Sequence, residues 1–219
     1  MADSIVVLIT GVSRGIGKTL LETYLLRPYH IVIGSVRDKT APNAKNSTSF
    51  TDPAVAMKDL EAAGIDHIDV VIANAGGAGE MAFIPMDLVG VDTMTDVFNV
   101  NTLGPLVLYQ AVRALLQKSK VPKWVSVTSA AGSIGNLEAF QAHVVPAYGL
   151  AKASLNWSCA QREQVADCLC CTPRAMGLEQ APHTKRQSID AIIGLVDNAT
   201  REKTSGKFYN VIDGTEIPW

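Results

Sequence analysis

Tyr148 and Lys152 stand four residues apart in the run Ala147-Tyr148-Gly149-Leu150-Ala151-Lys152, a spacing that puts both side chains on one helix face about one turn apart. A phenol releases its proton only near pH ~10, so a tyrosine that gives and takes protons near neutrality needs a cation to stabilise the phenolate. Lys152 supplies that cation. Ser129 follows the apolar run Trp124-Val125-Ser126-Val127-Thr128, so a strand would deliver its hydroxyl to a sheet end, beside a substrate oxygen on which charge develops. Asn101 lies upstream of all three. A Tyr-x-x-x-Lys pair alone is common on exposed helices; its weight comes from the order in which these residues follow a second constellation.

That constellation is Thr10-Gly11-Val12-Ser13-Arg14-Gly15-Ile16-Gly17. A dinucleotide's pyrophosphate sits against backbone N–H groups at a helix N-terminus, and side chains there would hold it away. Gly11, Gly15 and Gly17 remove that obstacle, while Ser13, Arg14 and Ile16 share the turn. The spacing is Gly-x-x-x-Gly-x-Gly, not the commoner Gly-x-Gly-x-x-Gly, but the flanking pattern is that of a strand before and a helix after. At the end of the second strand an acidic residue would bind a bare ribose 2′-hydroxyl, whereas arginine accommodates a 2′-phosphate. Arg14 and Arg37 therefore favour NADPH, and Asp38 keeps NADH as the less favoured cofactor.

The elements that must position these groups read as alternating strands and helices. Ile5 to Ile9 and His30 to Val36 are continuous β-branched and aliphatic runs suited to strands buried on both faces, with helical spacing over Lys18 to Leu26 between them. Arg37 to Thr51 is polar and reads as loop. Ala54 to Ala63 is predicted helical, ending at Gly64, and Ile68 to Ala73 is a buried strand closing on Asn74-Ala75-Gly76-Gly77. Met94 to Leu116 is a long helix or a broken pair, with Gly104-Pro105 as the expected irregularity. Trp124 to Thr128 is a strand, a helix begins near Ala147, Ser188 to Ala199 is helical, and Gly206 to Ile212 is a last strand before Asp213-Gly214.

A chain of 219 residues suits a single α/β domain spanning 1–219. With 47% hydrophobic and 18% charged residues it can bury a core, which excludes a disordered or fibrous chain. The net charge of −2 and the lack of a sustained basic run make nucleic acid an unexpected partner. No basic leader with a cleavage site opens the sequence, and no apolar run nears the ~20 residues a bilayer span needs, so no membrane association is expected and the location expected is cytoplasmic. Cys168-Leu169-Cys170-Cys171 reads as reduced thiols, and His143 and His183 supply no second ligand cluster, so no metal is expected.

Taken in order, Thr10-Gly11-x-x-x-Gly15-x-Gly17, Asn74-Ala75-Gly76, Asn101, Ser129 and Tyr148-x-x-x-Lys152 resemble the motif set of the short-chain dehydrogenase/reductase superfamily. The resemblance runs from Ile5 to about Trp157, and the closing segment from Ser205 to Trp219 is similar to the sniffer and C-factor branch, with fungal ketoreductases of the norsolorinic acid kind most similar within it. It implies a Rossmann-like doubly wound parallel sheet flanked by helices and NADPH-dependent reduction of a ketone or aldehyde, with a bulky aromatic or polyketide-like substrate. By that resemblance Tyr148 protonates the carbonyl oxygen, Lys152 supports it and holds the nicotinamide ribose, Ser129 positions the substrate, Asn101 keeps a water in a proton relay, and Asn74, Ala75 and Gly76 line the adenosine side. Members often pair as homodimers or homotetramers through the helices around Leu106 to Leu116 and Tyr148 to Trp157.

Two segments depart from the family pattern. The third strand and the region of the sixth strand look shortened or missing, at Arg37 to Asp52 and at Trp157 to Met176, where Arg174 stands for an expected glycine. Losing an interior strand would leave neighbouring backbone unpaired, which costs more than trimming an edge. The alternatives to a reductase are thus a weakly active or inactive cofactor-binding protein, or a non-redox cyclase or isomerase using Tyr148 as an acid.

Overall fold

The computed structural model describes residues 4–36, 47–49, 53–79, 83–160, 168–170 and 184–219. Among them, strands β1 (Ile5–Thr10), β2 (His30–Val36), β3 (Ser47–Ser49), β4 (Val70–Ala73), β5 (Lys123–Thr128), β6 (Cys168–Cys170) and β7 (Phe208–Asn210) form one sheet in the order β3-β2-β1-β4-β5-β6-β7. Every neighbouring pair is parallel. The helices are α1 (Gly15–Leu25), α2 (Pro53–Ala62), α3 (Val91–Phe98), α4 (Gly104–Leu116), α5 (Pro146–Cys159) and α6 (Lys185–Asn198).

Strand side chains alternate between two apolar layers because successive residues of a strand point to opposite faces. Val7, Ile9, Val70, Ile72, Val125 and Val127 pack with Leu20 and Tyr24 of α1 and Ile189, Ile192 and Val196 of α6. Val6, Leu8, Val71, Ala73 and Trp124 pack on the other side with Leu60 of α2 and Leu108, Val112, Leu115 and Leu116 of α4. The doubly wound architecture follows from central strands whose apolar residues point to both faces and so need cover on both.

From β1 the order runs outward through β2 to β3 in one direction and through β4 to β7 in the other. The carboxyl ends of β1 and β4 therefore diverge into a crevice, the place where open parallel sheets bind ligands.

Two expectations change. The polar stretch from Arg37 to Thr51 is not all loop: Ser47–Ser49 pairs with Gly34 to Val36 as β3, because an edge strand is held by backbone pairing on one side and needs no apolar run. The sixth strand is shortened and present, since Cys168–Cys170 pairs with Ser126 to Thr128 on one side and with Phe208 to Asn210 on the other. The sheet thus stays continuous, and the backbone of β5 and β7 is paired across β6. Arg37 and Arg174 lie outside the described residues.

The break in the long helical segment lies immediately before the expected Gly104-Pro105 pair. It is a π-helical turn over Asn99–Leu103, in which the Gly104 N–H donates to Asn99 O five residues back. Pro105 follows in the first turn of α4, and it can offer no N–H to the carbonyl of Asn101 four residues earlier. The wider turn is the backbone's accommodation to that missing donor.

Candidate active site

A cleft of about 840 Å³ opens at the carboxyl ends of β1, β4 and β5. Its walls include Gly11, Ser13, Arg14, Gly15 and Ile16 from the β1–α1 turn, and Asn74, Ala75 and Gly76 after β4. Tyr148 and Lys152 complete it from α5. Two constellations separated by more than a hundred residues therefore face one space. Gly17, Asn101 and Ser129 are not among the residues that line it.

The glycine turn is built from two different demands. Gly11 and Gly15 have φ of +72° and +62°, a left-handed conformation that costs a side-chain-bearing residue about 1 kcal/mol or more. Nothing lies within 4 Å of where a Cβ on Gly15 would project, so a side chain there would enter the open cleft. Gly17 is constrained by proximity instead, since a Cβ would collide with the Gly11 carbonyl and with Asn74 Nδ2. Arg14 caps α1 in extended backbone, and the first turn of α1 carries no acidic residue, leaving the positive end of that helix uncompensated for an anion.

The turn is tied to β4 by side chains. Thr10 Oγ1 accepts from the backbone N–H groups of Asn74 at 3.0 Å and Ala75 at 2.9 Å. Asn74 Nδ2 donates back to Thr10 O at 2.9 Å. Asn74 thus serves as a brace between the two strand ends as well as a wall residue.

Lys152 is only 2% exposed. Its Nζ donates to Val127 O at 3.1 Å and lies 5.5 Å from the centre of the Tyr148 ring. Gly76 lets the ammonium come close, for a Cβ there would stand 3.3 Å from Lys152 Nζ and 2.8 Å from Asn101 Oδ1. Ser129 is buried at 4% exposure in extended backbone, and its Oγ accepts from the Ala131 N–H at 3.2 Å. A serine hydroxyl accepting one bond keeps its own proton to donate.

Asn101 lies in the π-helical turn with no exposed surface. Its Nδ2 donates to Gly77 O and Val97 O, both at 2.8 Å, and its Oδ1 accepts from the Gly77 N–H at 3.0 Å. The next residue, Thr102, donates from Oγ1 to Ala151 O at 2.8 Å, fixing α5 against the turn.

Three bracing residues carried no assignment in the sequence reading: Thr102, Thr128 and Asn156. The last two bond each other, Thr128 Oγ1 to Asn156 Oδ1 at 2.6 Å, and Asn156 Nδ2 donates to Gly132 O at 3.2 Å. The signal was present for Asn156. It lies four residues past Lys152 and eight past Tyr148, a polar continuation of a helix face that also carries buried Leu155 and Cys159.

The residues present fit a dinucleotide: a turn with Gly11, Gly15 and Gly17, where a Cβ on Gly15 would project into open space, a helix N-terminus whose first turn has no acidic residue, and a cleft running from that turn to Lys152. Among the described residues no cluster of three or more His, Cys, Asp or Glu could hold a metal ion, and no helix is long and apolar enough to cross a membrane.

The family model described as short chain dehydrogenase matches residues 5–163. Short-chain dehydrogenase srdF of Neurospora crassa is 40% identical, the match covering 100% of this chain and 99% of that protein. It extends over 256 positions against the 219 residues here, so that relative carries segments this chain lacks. The norsolorinic acid ketoreductase of Aspergillus parasiticus is 32% identical over 99% of this chain and 92% of its own length. Among solved structures, an NADPH-bound carbonyl reductase from chicken fatty liver superposes with a TM-score of 0.84 at 25% identity, covering 99% of this chain and 100% of that one.

Proposed function

The chain belongs to the short-chain dehydrogenase family, and from that premise we propose that it reduces a ketone or aldehyde to an alcohol with NADPH. The observation that carries this reading is the buried Lys152 ammonium, anchored on Val127 O and 5.5 Å from the Tyr148 ring, at the end of a cleft that begins at the glycine turn. Gly11, Ser13, Arg14, Gly15, Ile16, Asn74, Ala75 and Gly76 would hold the cofactor, and bound NADPH supplies a hydride to the carbonyl carbon.

The chain's own residues handle the proton and the charge. Tyr148 gives its phenolic proton to the carbonyl oxygen, and the Lys152 ammonium stabilises the phenolate left behind. Ser129 would offer a hydrogen bond from its hydroxyl to the same oxygen as negative charge grows there, keeping its own proton. Asn101 acts through its backbone, since its side chain is committed to Gly77 and Val97 and Pro105 brings no N–H to its carbonyl; that carbonyl is the acceptor for a relay water.

The preference for NADPH over NADH rests on Arg14 at the cleft wall, on Arg37, and on a structural relative solved with NADPH. A bulky aromatic or polyketide-like carbonyl compound is the substrate class, supported by the ketoreductase relatives. Exposed Leu106 on α4 and Leu150 and Trp157 on α5 support pairing of subunits through those helices, because apolar surface gathered on neighbouring elements marks an interface.

The test is loss of absorbance at the reduced-nicotinamide band when the protein meets NADPH and a panel of aromatic ketones. Turnover with a carbonyl compound is expected. Cofactor binding without turnover of any ketone or aldehyde would replace this reading with that of a cofactor-binding protein.

A further inference from the structure

We propose that Asn156 is a positioning residue that sets the Ser129 hydroxyl against Tyr148 and Lys152 by gripping the chain on both sides of the serine. The role of Ser129 rests on the reductase reading above; the grip itself rests on geometry alone.

Ser129 sits where β5 ends and the chain turns sharply. The turn closes on itself through the Gly132 N–H to Ser129 O at 2.9 Å and the Ala131 N–H to Ser129 Oγ at 3.2 Å. Those bonds shape the turn without fixing where it sits relative to α5. Asn156 does that. One atom of its amide takes the hydroxyl of the residue before Ser129, Thr128, at 2.6 Å, and another donates to the carbonyl of the residue three after it, Gly132, at 3.2 Å. Lys152 adds a third tie from the same helix, to Val127 O two residues before the serine.

The contact between turn and helix leaves no slack. A Cβ on Gly132 would stand 2.7 Å from the backbone carbon of Lys152, 2.9 Å from Ala153 N and 3.0 Å from Asn156 Nδ2. Asn156 is 2% exposed and Thr128 1%, so the amide and the hydroxyl exchange no bonds with bulk water, and removing either leaves its partner buried and unsatisfied. Tyr148, Lys152 and Asn156 lie on one helix at intervals of four residues, a rigid ruler about 6 Å per step. The same element that carries the phenol and ammonium thus carries the clamp on the turn that bears Ser129.

A purely structural asparagine would lower stability and impair every function alike. A positioning asparagine acts through Ser129, and two measurements separate these. Hydrogen exchange at the Ala131 and Gly132 amides, read by NMR, is expected to quicken about 10-fold or more in Asn156→Leu and in Thr128→Val while amides of β1 keep their protection; Thr128→Ser, which retains the hydroxyl, is expected to exchange as the parent does. Unchanged exchange at Ala131 and Gly132 in Asn156→Leu overturns the proposal, and this readout needs no substrate. It therefore decides the proposal even if the protein reduces no carbonyl compound, an outcome that would instead defeat the functional reading. In the active protein Asn156→Leu is expected to lower kcat about 10- to 100-fold with NADPH affinity, measured by fluorescence, within about twofold of the parent. In a Ser129→Ala background the same substitution should cost less than about threefold more. Costs that multiply in full across the two positions would mean that Asn156 does not work through the serine.

Discussion

Gly77 and Asn101 hold each other by a reciprocal pair of hydrogen bonds, the glycine N–H to Oδ1 at 3.0 Å and Nδ2 to the glycine carbonyl at 2.8 Å. One side chain from a π-helical turn thereby satisfies both backbone groups of a residue in the loop after β4, as a neighbouring strand would. Gly77 lines the cleft, so this pairing sets the wall against which Lys152 stands.

Asn101→Ala removes those two bonds and a third to Val97 O, stripping the Gly77 backbone of both side-chain partners and buried Val97 O of one donor. The expected loss is about 2–4 kcal/mol, seen as a fall in melting temperature of roughly 5–15 °C. A variant that melts with the parent would show the Gly77 loop to be held by other contacts.

Tyr148→Phe keeps the ring and deletes the hydroxyl proposed as the proton donor. Turnover should fall by about 10²- to 10⁴-fold, while NADPH titrated by fluorescence binds within a few-fold of the parent. Retained turnover would mean that another group protonates the product.

Gly17→Ala adds one carbon where the Gly11 carbonyl and Asn74 already stand. Backbone cannot move aside as a flexible side chain can, so about 1–3 kcal/mol of strain is expected, appearing as a lower melting temperature together with weaker NADPH binding. The change should harm both, because the turn that would bind phosphate is also the joint between β1 and α1.

Arg37→Asp replaces a group proposed to accommodate a 2′-phosphate with one that would repel it and favour a 2′-hydroxyl. NADPH should weaken by at least tenfold more than NADH in paired dissociation constants, a ratio of about 1.4 kcal/mol. Equal changes for the two would remove Arg37 from cofactor choice.

Arg27 and Asp197 join α1 to α6 through two bonds of 2.9 and 2.7 Å. The guanidinium holds the Asp197 carboxyl below the ordinary carboxylate value. A carboxyl lowered on folding stabilises the fold above its unfolded pKa and loses that contribution as the pH falls through its folded value. Melts run from about pH 6 down to about pH 2 should therefore show a steeper acid loss for the parent than for Asp197→Asn. The pair is partly exposed and screened, so the difference should be no more than about 1 kcal/mol.

Much of the frame was legible because its signals are local. A strand covered on both faces carries apolar residues on both, which marks β1, β2, β4 and β5 as largely aliphatic runs, and His30–Val36 matches its expected limits at both ends. The glycines of the first turn and the four-residue interval of Tyr148 and Lys152 are likewise local facts of backbone conformation and helical repeat. The short strands were harder to read. Ser47–Ser49 and Cys168–Cys170 are strands through the partners beside them, and three residues carry too little side-chain pattern to announce pairing that the backbone makes.

What the sequence determined by itself was therefore the succession of the longer strands and helices, and it supplied the residues proposed as reactive. The tertiary structure decided which polar residues only brace: Thr10, Thr102 and Asn156, and Asn101 through its side chain. Such a role depends on whether a buried amide or hydroxyl meets a backbone group distant in sequence, as Thr10 meets Asn74 across 64 residues. Hydrogen bonds act over about 3 Å, and only the folded chain brings those partners within that range.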